Sequence, residues 1–266
     1  MNSYPTTIGE LPQSLLDEIK SIVVHYTVGL LADTALAGTG TLVEYMGVHY
    51  VLTAHHVWEK CLSKPEVENV GFILSHQEYT SRLPTKYIDP IVVGSPISDE
   101  AGPDVILLKL PVGAPILQAI KAKKSFFKID FELEEKLHFC SDKMDLYAIA
   151  GFIGERTKAE SRPHGIILTC HANMNFTGIE RSFDKDEFDY EDCLAVYTDT
   201  NDLPNSFGGT SGGGLWKIEL FTGNQIGRIV LSGVAFYQSE QLENERFLRC
   251  HGPKTIYQKV PQILKK

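Results

Sequence analysis

The chain has 266 residues, of which 43% are hydrophobic and 22% are charged, a composition that predicts a folded globular protein rather than a disordered one. Its formal net charge is -9, whereas proteins that bind the phosphates of nucleic acids need clustered Lys and Arg. Nucleic acid is therefore not an expected partner.

The N-terminus and the cysteines bear on where the protein works. Residues 1–10 lack a basic segment followed by an apolar stretch, and no run approaches the roughly 18 apolar residues that a membrane helix needs. Five scattered cysteines, an odd number, do not suit a set of disulfides, and no CxxC spacing indicates a metal site. These features predict a cytoplasmic protein that uses no membrane, no metal and no organic cofactor.

In chain order, the hydrophobic pattern begins with a helix and continues with strands. Apolar residues at helical spacing predict a helix over 12–24, followed by an extended segment over 21–28. The β-prone runs 41–45 and 49–53 predict a hairpin. Further short apolar runs predict strands at 70–74, 91–93, 105–110, 146–153, 165–170, 194–197, 214–218 and 229–237.

Three later segments depart from this series of strands. Helical patterns over 114–122 and 256–264 predict a central linker helix and a C-terminal helix. The acid-rich segment 184–192 is expected to be a solvated loop, because it lacks the central glycine and terminal Glu of an EF-hand calcium loop. Many short strands punctuated by Gly, Pro and Asn predict an all-β barrel or sandwich.

The densest glycine cluster surrounds one hydroxyl, in the segment 208–214 (Gly-Gly-Thr-Ser-Gly-Gly-Gly). Glycines let the backbone approach a ligand closely and aim several N–H groups in one direction. That arrangement suits an oxyanion hole, for which the N–H groups of Gly209 and Ser211 are the candidates. Because a serine alone is a weak nucleophile, this hypothesis requires a base and a group that orients the base.

His56 and Asp104 are the candidates for those two roles. His55 and His56 follow a predicted strand, and Asp104 precedes a strongly apolar one. A carboxylate there would be partly buried and would need a partner, which an imidazole supplies when it takes the serine proton. Each pattern alone is more often structural, but the order His, Asp, Ser predicts a catalytic triad.

Three segments resemble the signature segments of trypsin-like serine peptidases: 53–57 (Thr-Ala-His-His-Val), 104–110 (Asp-Val-Ile-Leu-Leu-Lys-Leu) and 209–213 (Gly-Thr-Ser-Gly-Gly). The resemblance covers most of the chain. It selects His56 over His55, because the family places its catalytic histidine directly before a hydrophobic or cysteine position.

The resemblance implies an all-β, chymotrypsin-like fold of two orthogonal Greek-key β-barrels with short N-terminal and C-terminal helices. We expect the first barrel within residues 1–115 and the second barrel, with the C-terminal helix, within residues 116–266, together forming one peptidase unit. The implied activity is that of a serine endopeptidase, which hydrolyses peptide bonds of protein or peptide substrates through an acyl-enzyme.

Two local features refine the resemblance. The segment 198–200 (Thr-Asp-Thr) is similar to a strand of the bacterial high-temperature-requirement proteases, which favours these bacterial non-zymogen members over secreted trypsins. Thr210 stands where secreted trypsins carry the Asp that receives a freed N-terminus, so activation by cleavage is not expected. A regulatory ligand or partner that holds the glycine-rich loop is therefore a hypothesis.

The resemblance also implies a pocket for the substrate side chain. By the trypsin spacing, Asn205 lies at its floor, six residues before the serine, and the walls come from Thr255 and from Phe236, Tyr237 and Gln238. This set predicts neither the acidic floor of trypsin nor an open aromatic slot.

One other interpretation stays open at this point, and a second is disfavoured by the position of the serine in the chain. A two-barrel scaffold could serve only to bind partners, without hydrolysis. The segment 209–213 also satisfies the Gly-x-Ser-x-Gly pattern of α/β-hydrolase esterases. That fold needs Asp and His strands after the serine, and the short remainder of the chain contains a single histidine, His251.

Overall fold

A computed structural model describes residues 11–74, 80–95, 102–130, 143–162, 165–195, 206–239 and 247–266. Strands dominate these ranges and form two units, with helices near both ends and between the units. The predicted all-β fold with short terminal helices is confirmed. Within these ranges, none of the helices combines the length and the apolar character needed to cross a bilayer.

The first unit is a half-barrel of antiparallel strands to which one short parallel strand is added. Its spatial order is β5-β4-β1-β2-β3-β7-β6, and β8 pairs with β2 in parallel. The predicted hairpin is confirmed as the β2–β3 pair. The strands are β1 (Thr27–Ala32), β2 (Ala35–Tyr45), β3 (Val48–Thr53), β4 (Asn69–Ile73), β5 (Thr80–Pro84), β6 (Asp89–Gly94), β7 (Val105–Lys109) and β8 (Phe127–Lys128).

The second unit is a closed barrel of six antiparallel strands, in the order β12-β13-β16-β15-β14-β9. A separate pair, β10 and β11, forms a two-stranded sheet. Within the described ranges every strand pair except β2–β8 is antiparallel, which excludes the parallel sheet of an α/β-hydrolase. The strands are β9 (Lys143–Phe152), β10 (Lys158–Arg162), β11 (Gly165–Thr169), β12 (Ala172–Lys185), β13 (Phe188–Ala195), β14 (Gly214–Phe221), β15 (Gln225–Gln238) and β16 (Phe247–His251).

The helices follow the apolar patterns closely. The first, α1 (Gln13–Val24), buries Leu15, Ile19 and Val23 on one face. Because this buried stripe continues through Val23, the expected extended segment over 21–28 is wrong in its first half, and the chain becomes a strand only at β1. The others are α2 (His55–Val57, continued by a π-helical turn), α3 (Pro115–Lys121) and α4 (Val260–Leu264, preceded by a π-helical turn).

The acid-rich segment corrects another prediction. It is not a solvated loop but a hairpin whose turn places Asp186 and Glu187 at positive φ between β12 and β13. Asp189 is buried and accepts hydrogen bonds from the backbone N–H groups of Lys254 and Thr255, both at 2.7 Å. The carboxylate therefore binds the start of the C-terminal helical segment.

An aromatic cluster packs the two units together. Trp216 of the barrel is fully buried and stacks on Tyr26 at a ring distance of 5.2 Å. Phe127 of the first unit meets the same indole edge-on at 5.3 Å. Such pairs add specific geometry to the burial of a large apolar area. The two units therefore share a core, and the loops at their junction are held in a fixed relation.

Candidate active site

Asp104 lies directly before β7 with its side chain fully buried. Its Oδ2 is 2.5 Å from Nδ1 of His56, and its Oδ1 accepts the backbone N–H of His56 at 2.9 Å. Because a carboxylate only accepts hydrogen bonds, Nδ1 carries a proton and Nε2 faces away from Asp104. The structure thus brings together two of the three predicted triad residues and fixes the orientation of the ring.

The neighbouring histidine takes no part in this pair. Where β3 ends, the chain turns into α2, and successive side chains of a helix point in different directions. His55 is buried on the far side, with its Nδ1 3.7 Å from Oε2 of Glu59. Of these two adjacent histidines, His56 is the one whose ring contacts Asp104, and the choice of His56 over His55 as the base stays a prediction.

A third histidine, for which the sequence predicts no role in the site, forms a hydrogen bond with the backbone of Asp104. The N–H of Asp104 donates to Nε2 of His251, the last residue of β16, at 3.0 Å. His251 is fully buried and its ring stacks on Phe236 at 4.6 Å. Burial lowers the pKa of His251 from 6.5 to about 3, so the ring is neutral and Nε2 is free to accept a hydrogen bond. Its position at the end of a short strand gave no signal of this contact.

Ser211 and His56 line the same cavity, of about 240 Å³, at the junction of the two units. Among the described hydrogen bonds, none joins Ser211 Oγ to the His56 ring, and such catalytic bonds are often long in a site without substrate. In the described ranges, His, Cys, Asp and Glu side chains form no group of three or more that could hold a metal ion. The remaining lining residues are Phe207, Gly208, Thr210, Ala235, Phe236, Tyr237, Gln238 and Leu248.

The backbone before Ser211 has a defined direction. The carbonyl of Gly208 accepts the N–H of Gly154 at 2.7 Å. In a trans peptide the C=O and N–H groups point to opposite sides, so the N–H of Gly209 points away from Gly154. Gly209 has φ +94°, a conformation that side chains strongly disfavour. Within the described part of the chain, the N–H groups of Gly209 and Ser211 donate to no protein acceptor.

Thr39 of β2 binds the glycine-rich loop at two points. Its Oγ1 donates to the carbonyl of Gly209 at 2.6 Å, and its N–H donates to the carbonyl of Ser211 at 2.9 Å. The same Oγ1 accepts the N–H of Phe152 at 2.8 Å. Thr39 is fully buried, so no water competes for these bonds. Its hydroxyl therefore fixes the peptide that follows Gly209.

Two further buried threonines complete this network. Thr41 Oγ1 donates to the carbonyl of Gly212 at 3.0 Å, and Thr53 Oγ1 donates to the carbonyl of Thr39 at 2.7 Å. Gly212 has φ +90°, and a Cβ placed on it would lie 2.0 Å from the Thr39 carbonyl oxygen. Only glycine fits there, because the loop lies directly on β2 and β3.

The predicted pocket residues divide into three groups. Phe236, Tyr237 and Gln238 line the cavity with Ser211, as expected. Thr255 does not line it: its side chain is fully buried and its hydroxyl donates to Asp189 at 2.7 Å. Thr255 is therefore corrected from a substrate-binding residue to one that holds the C-terminal helical segment. Asn205 and the segment 198–200 lie outside the described residues.

No protein-family model matches the chain, and no curated protein matches it in sequence. Among solved structures, it is similar to the serine protease domain of the Sesbania mosaic virus polyprotein, with 12% identity, a TM-score of 0.43, and coverage of 88% of this chain and 90% of that chain. It is also similar to neuropsin, a serine protease expressed in the limbic system of mouse brain, with 14% identity, a TM-score of 0.46, and coverage of 90% and 93%. These identities are too low to indicate a shared function.

Proposed function

We propose that the protein is a serine endopeptidase, a hydrolase that cleaves peptide bonds through an acyl-enzyme. The observation that carries this proposal is the contact of the His56 ring with the buried Asp104, at the edge of a cavity that Ser211 also lines. In this proposal Ser211 is the nucleophile, His56 the general base and Asp104 the residue that orients the base.

The proposed reaction has two halves. Ser211 Oγ attacks the carbonyl carbon of the substrate while its proton passes to Nε2 of His56, and the imidazolium is stabilised by Asp104. The N–H groups of Gly209 and Ser211 donate to the oxyanion. Collapse of the tetrahedral intermediate breaks the C–N bond, and His56 returns the proton to the amine. Water then hydrolyses the acyl-enzyme by the same route.

The energetic contribution of the oxyanion hole is substantial. Removing one such donor typically costs about 2.7 to 4 kcal/mol of transition-state stabilisation. The direction of the Gly208 carbonyl supports the proposed role of Gly209, because it turns the Gly209 N–H away from Gly154. We further propose that Phe236, Tyr237 and Gln238 contact the substrate side chain nearest the scissile bond.

Labelling with a fluorophosphonate probe tests the proposal, because the probe reacts covalently with an activated serine. We expect the wild type to be labelled, and Ser211→Ala and His56→Ala to be folded but unlabelled. His55→Ala and Ser63→Ala are the matched controls and should retain labelling, since His55 faces Glu59 and Ser63 lies in the exposed turn after α2.

The outcomes separate the candidate functions. A folded wild type that is neither labelled nor able to cleave a peptide or ester would contradict the proposal and favour a scaffold that only binds partners. Equal loss in His55→Ala and His56→Ala would contradict the assignment of the base. The cytoplasmic location, the likeness to high-temperature-requirement proteases, the regulatory partner and the division at 115/116 stay predictions.

A further inference from the structure

A second cavity, of about 770 Å³, opens between α1, the residues after α3 and the start of β12. It shares no lining residue with the cavity of His56 and Ser211. Its volume lies within the range of about 300 to 1,000 Å³ that is typical of small-molecule sites. We call it the α1 groove, and the proposed peptidase mechanism makes no use of it.

The floor of the α1 groove is apolar. Leu74, Phe152, Cys170 and Ala172 line it, and each of these side chains is buried. Small-molecule sites combine such a lining with a few charged or polar groups that fix the orientation of the ligand. An apolar ligand body would therefore lose water contact here and gain stabilisation by the hydrophobic effect.

Lys124 is the buried charged group of this lining. Its side chain is 9% exposed, and its Nζ donates to the carbonyl of Val24 at 3.0 Å. No other hydrogen bond and no carboxylate partner of this ammonium occurs among the described residues. Burial lowers the pKa of Lys124 to about 8. A buried cation without a counter-charge is costly, so an anion would be stabilised beside it.

The mouth of the groove is cationic, although the chain as a whole carries a net charge of -9. The lysines Lys20 and Lys123 lie around the opening together with the imidazole of His25, and Asp17 is the single acidic residue among the described lining residues. The local charge would attract an anion toward Lys124. Because the rim residues are exposed and solvated, the buried ammonium is the group that gains most from a bound negative charge.

We propose that the α1 groove binds a small amphiphile with one carboxylate, which lies against Lys124 while its apolar body covers Phe152 and Leu74. One buried ammonium compensates one negative charge, which favours a monoanion. The proposal goes beyond the proposed peptidase function and does not depend on it, because binding can be measured on a protein whose Ser211 is replaced.

Isothermal titration of the full chain with decanoate tests this proposal, with decanol as the neutral analogue. We expect saturable binding of one decanoate per chain, at least about tenfold tighter than decanol. Lys124→Met keeps the length of the side chain but removes its charge, and should weaken decanoate at least about tenfold without affecting decanol. Lys121→Met, on α3 but outside the groove, is the matched control and should bind decanoate like the wild type.

A second variant keeps the test decisive if Lys124→Met fails to fold. Ser21→Trp changes an exposed position of α1 at the rim of the groove, so the indole would occupy the opening and block both ligands. Equal affinity for decanoate and decanol, unchanged binding in folded Lys124→Met, or unchanged binding in Ser21→Trp would overturn the proposal. So would tighter binding of decyl phosphate, or binding to anionic vesicles without binding of monomeric decanoate.

Discussion

The two walls of the cavity that His56 and Ser211 line are positioned by different physical means. On the wall of the first unit, a buried carboxylate holds His56 through its side chain. On the wall of the barrel, the loop around Ser211 has few side chains, and threonine hydroxyls of the first unit hold its backbone. Each wall also takes a contact from the other unit, since Asp104 donates to His251 of the barrel. A buried carboxylate holds the His56 side chain through hydrogen bonds, whereas hydroxyl donors hold the backbone of the glycine-rich loop.

The largest expected effect comes from changing the contact between Asp104 and His56. Asp104→Asn keeps the shape of the side chain but favours the wrong tautomer of His56, so turnover should fall about 10⁴-fold. The measurement is kcat and KM on an ester or peptide substrate. A rate within about tenfold of the wild type would remove Asp104 from the triad.

Asp189→Asn is the matched control for this variant, because Asp189 is also buried and hydrogen-bonded but lies at the C-terminal helical segment. We expect it to lower the free energy of unfolding, since the amide is a weaker acceptor than the carboxylate. Its turnover should be retained wherever the protein is folded. A comparable loss of turnover in both variants would indicate a general effect of buried charge.

The next largest effect on turnover is expected from removing a threonine hydroxyl that holds the loop around Ser211. Thr39→Val removes the donor to the Gly209 carbonyl, so the peptide can rotate and the oxyanion hole loses part of its order. Because one donor is worth about 2.7 to 4 kcal/mol, we expect kcat to fall by about 10 to 10³-fold with a smaller change in KM. Thr39→Ser keeps the hydroxyl and should restore most of the rate. Equal kcat in both variants would show that the threonine does not order the loop.

The sequence predicts the fold best where apolar runs are short and bounded by turn residues. The β2–β3 hairpin and α3 lie where their patterns place them. The hairpin of β12 and β13 was missed because its turn uses Asp186 and Glu187 at positive φ, without the glycine or asparagine that usually marks such a turn. The burial of Asp189 depends on partners 65 and 66 residues away, which no local pattern contains.

The residues of the candidate site likewise divide into those that a local sequence pattern predicts and those whose partners are distant in the chain. His56, Asp104 and Ser211 stand in local sequence patterns, and the sequence therefore predicts them as candidates for the triad. Thr39 and His251 act on backbone groups 170 and 147 residues away, so the identity of neither residue signals its role. The glycine-rich loop, for which a regulatory partner is a hypothesis, is held by threonine hydroxyl bonds that depend on the packing of the two units.

The smallest expected effect concerns the hydrogen bond between the Asp104 N–H and His251 of the barrel. It changes the free energy of unfolding rather than turnover. The pKa of His251 is about 3 in the folded protein and about 6.5 in an unfolded chain. Between these values the unfolded state binds one more proton, so the stability that the neutral ring provides above pH 6.5 is lost as the pH falls toward 3.

His251→Gln isolates this contribution, because the amide oxygen can still accept the N–H of Asp104 but does not titrate. Urea denaturation of both proteins from pH 7.5 to 5 gives their free energies of unfolding. Below pH 6.5 the wild type should lose stability relative to His251→Gln by up to about 1.4 kcal/mol per pH unit. Buried carboxylates common to both proteins cancel in this difference. Parallel curves would mean that His251 is already accessible to protons in the folded state, and that the Asp104 backbone is held by other contacts.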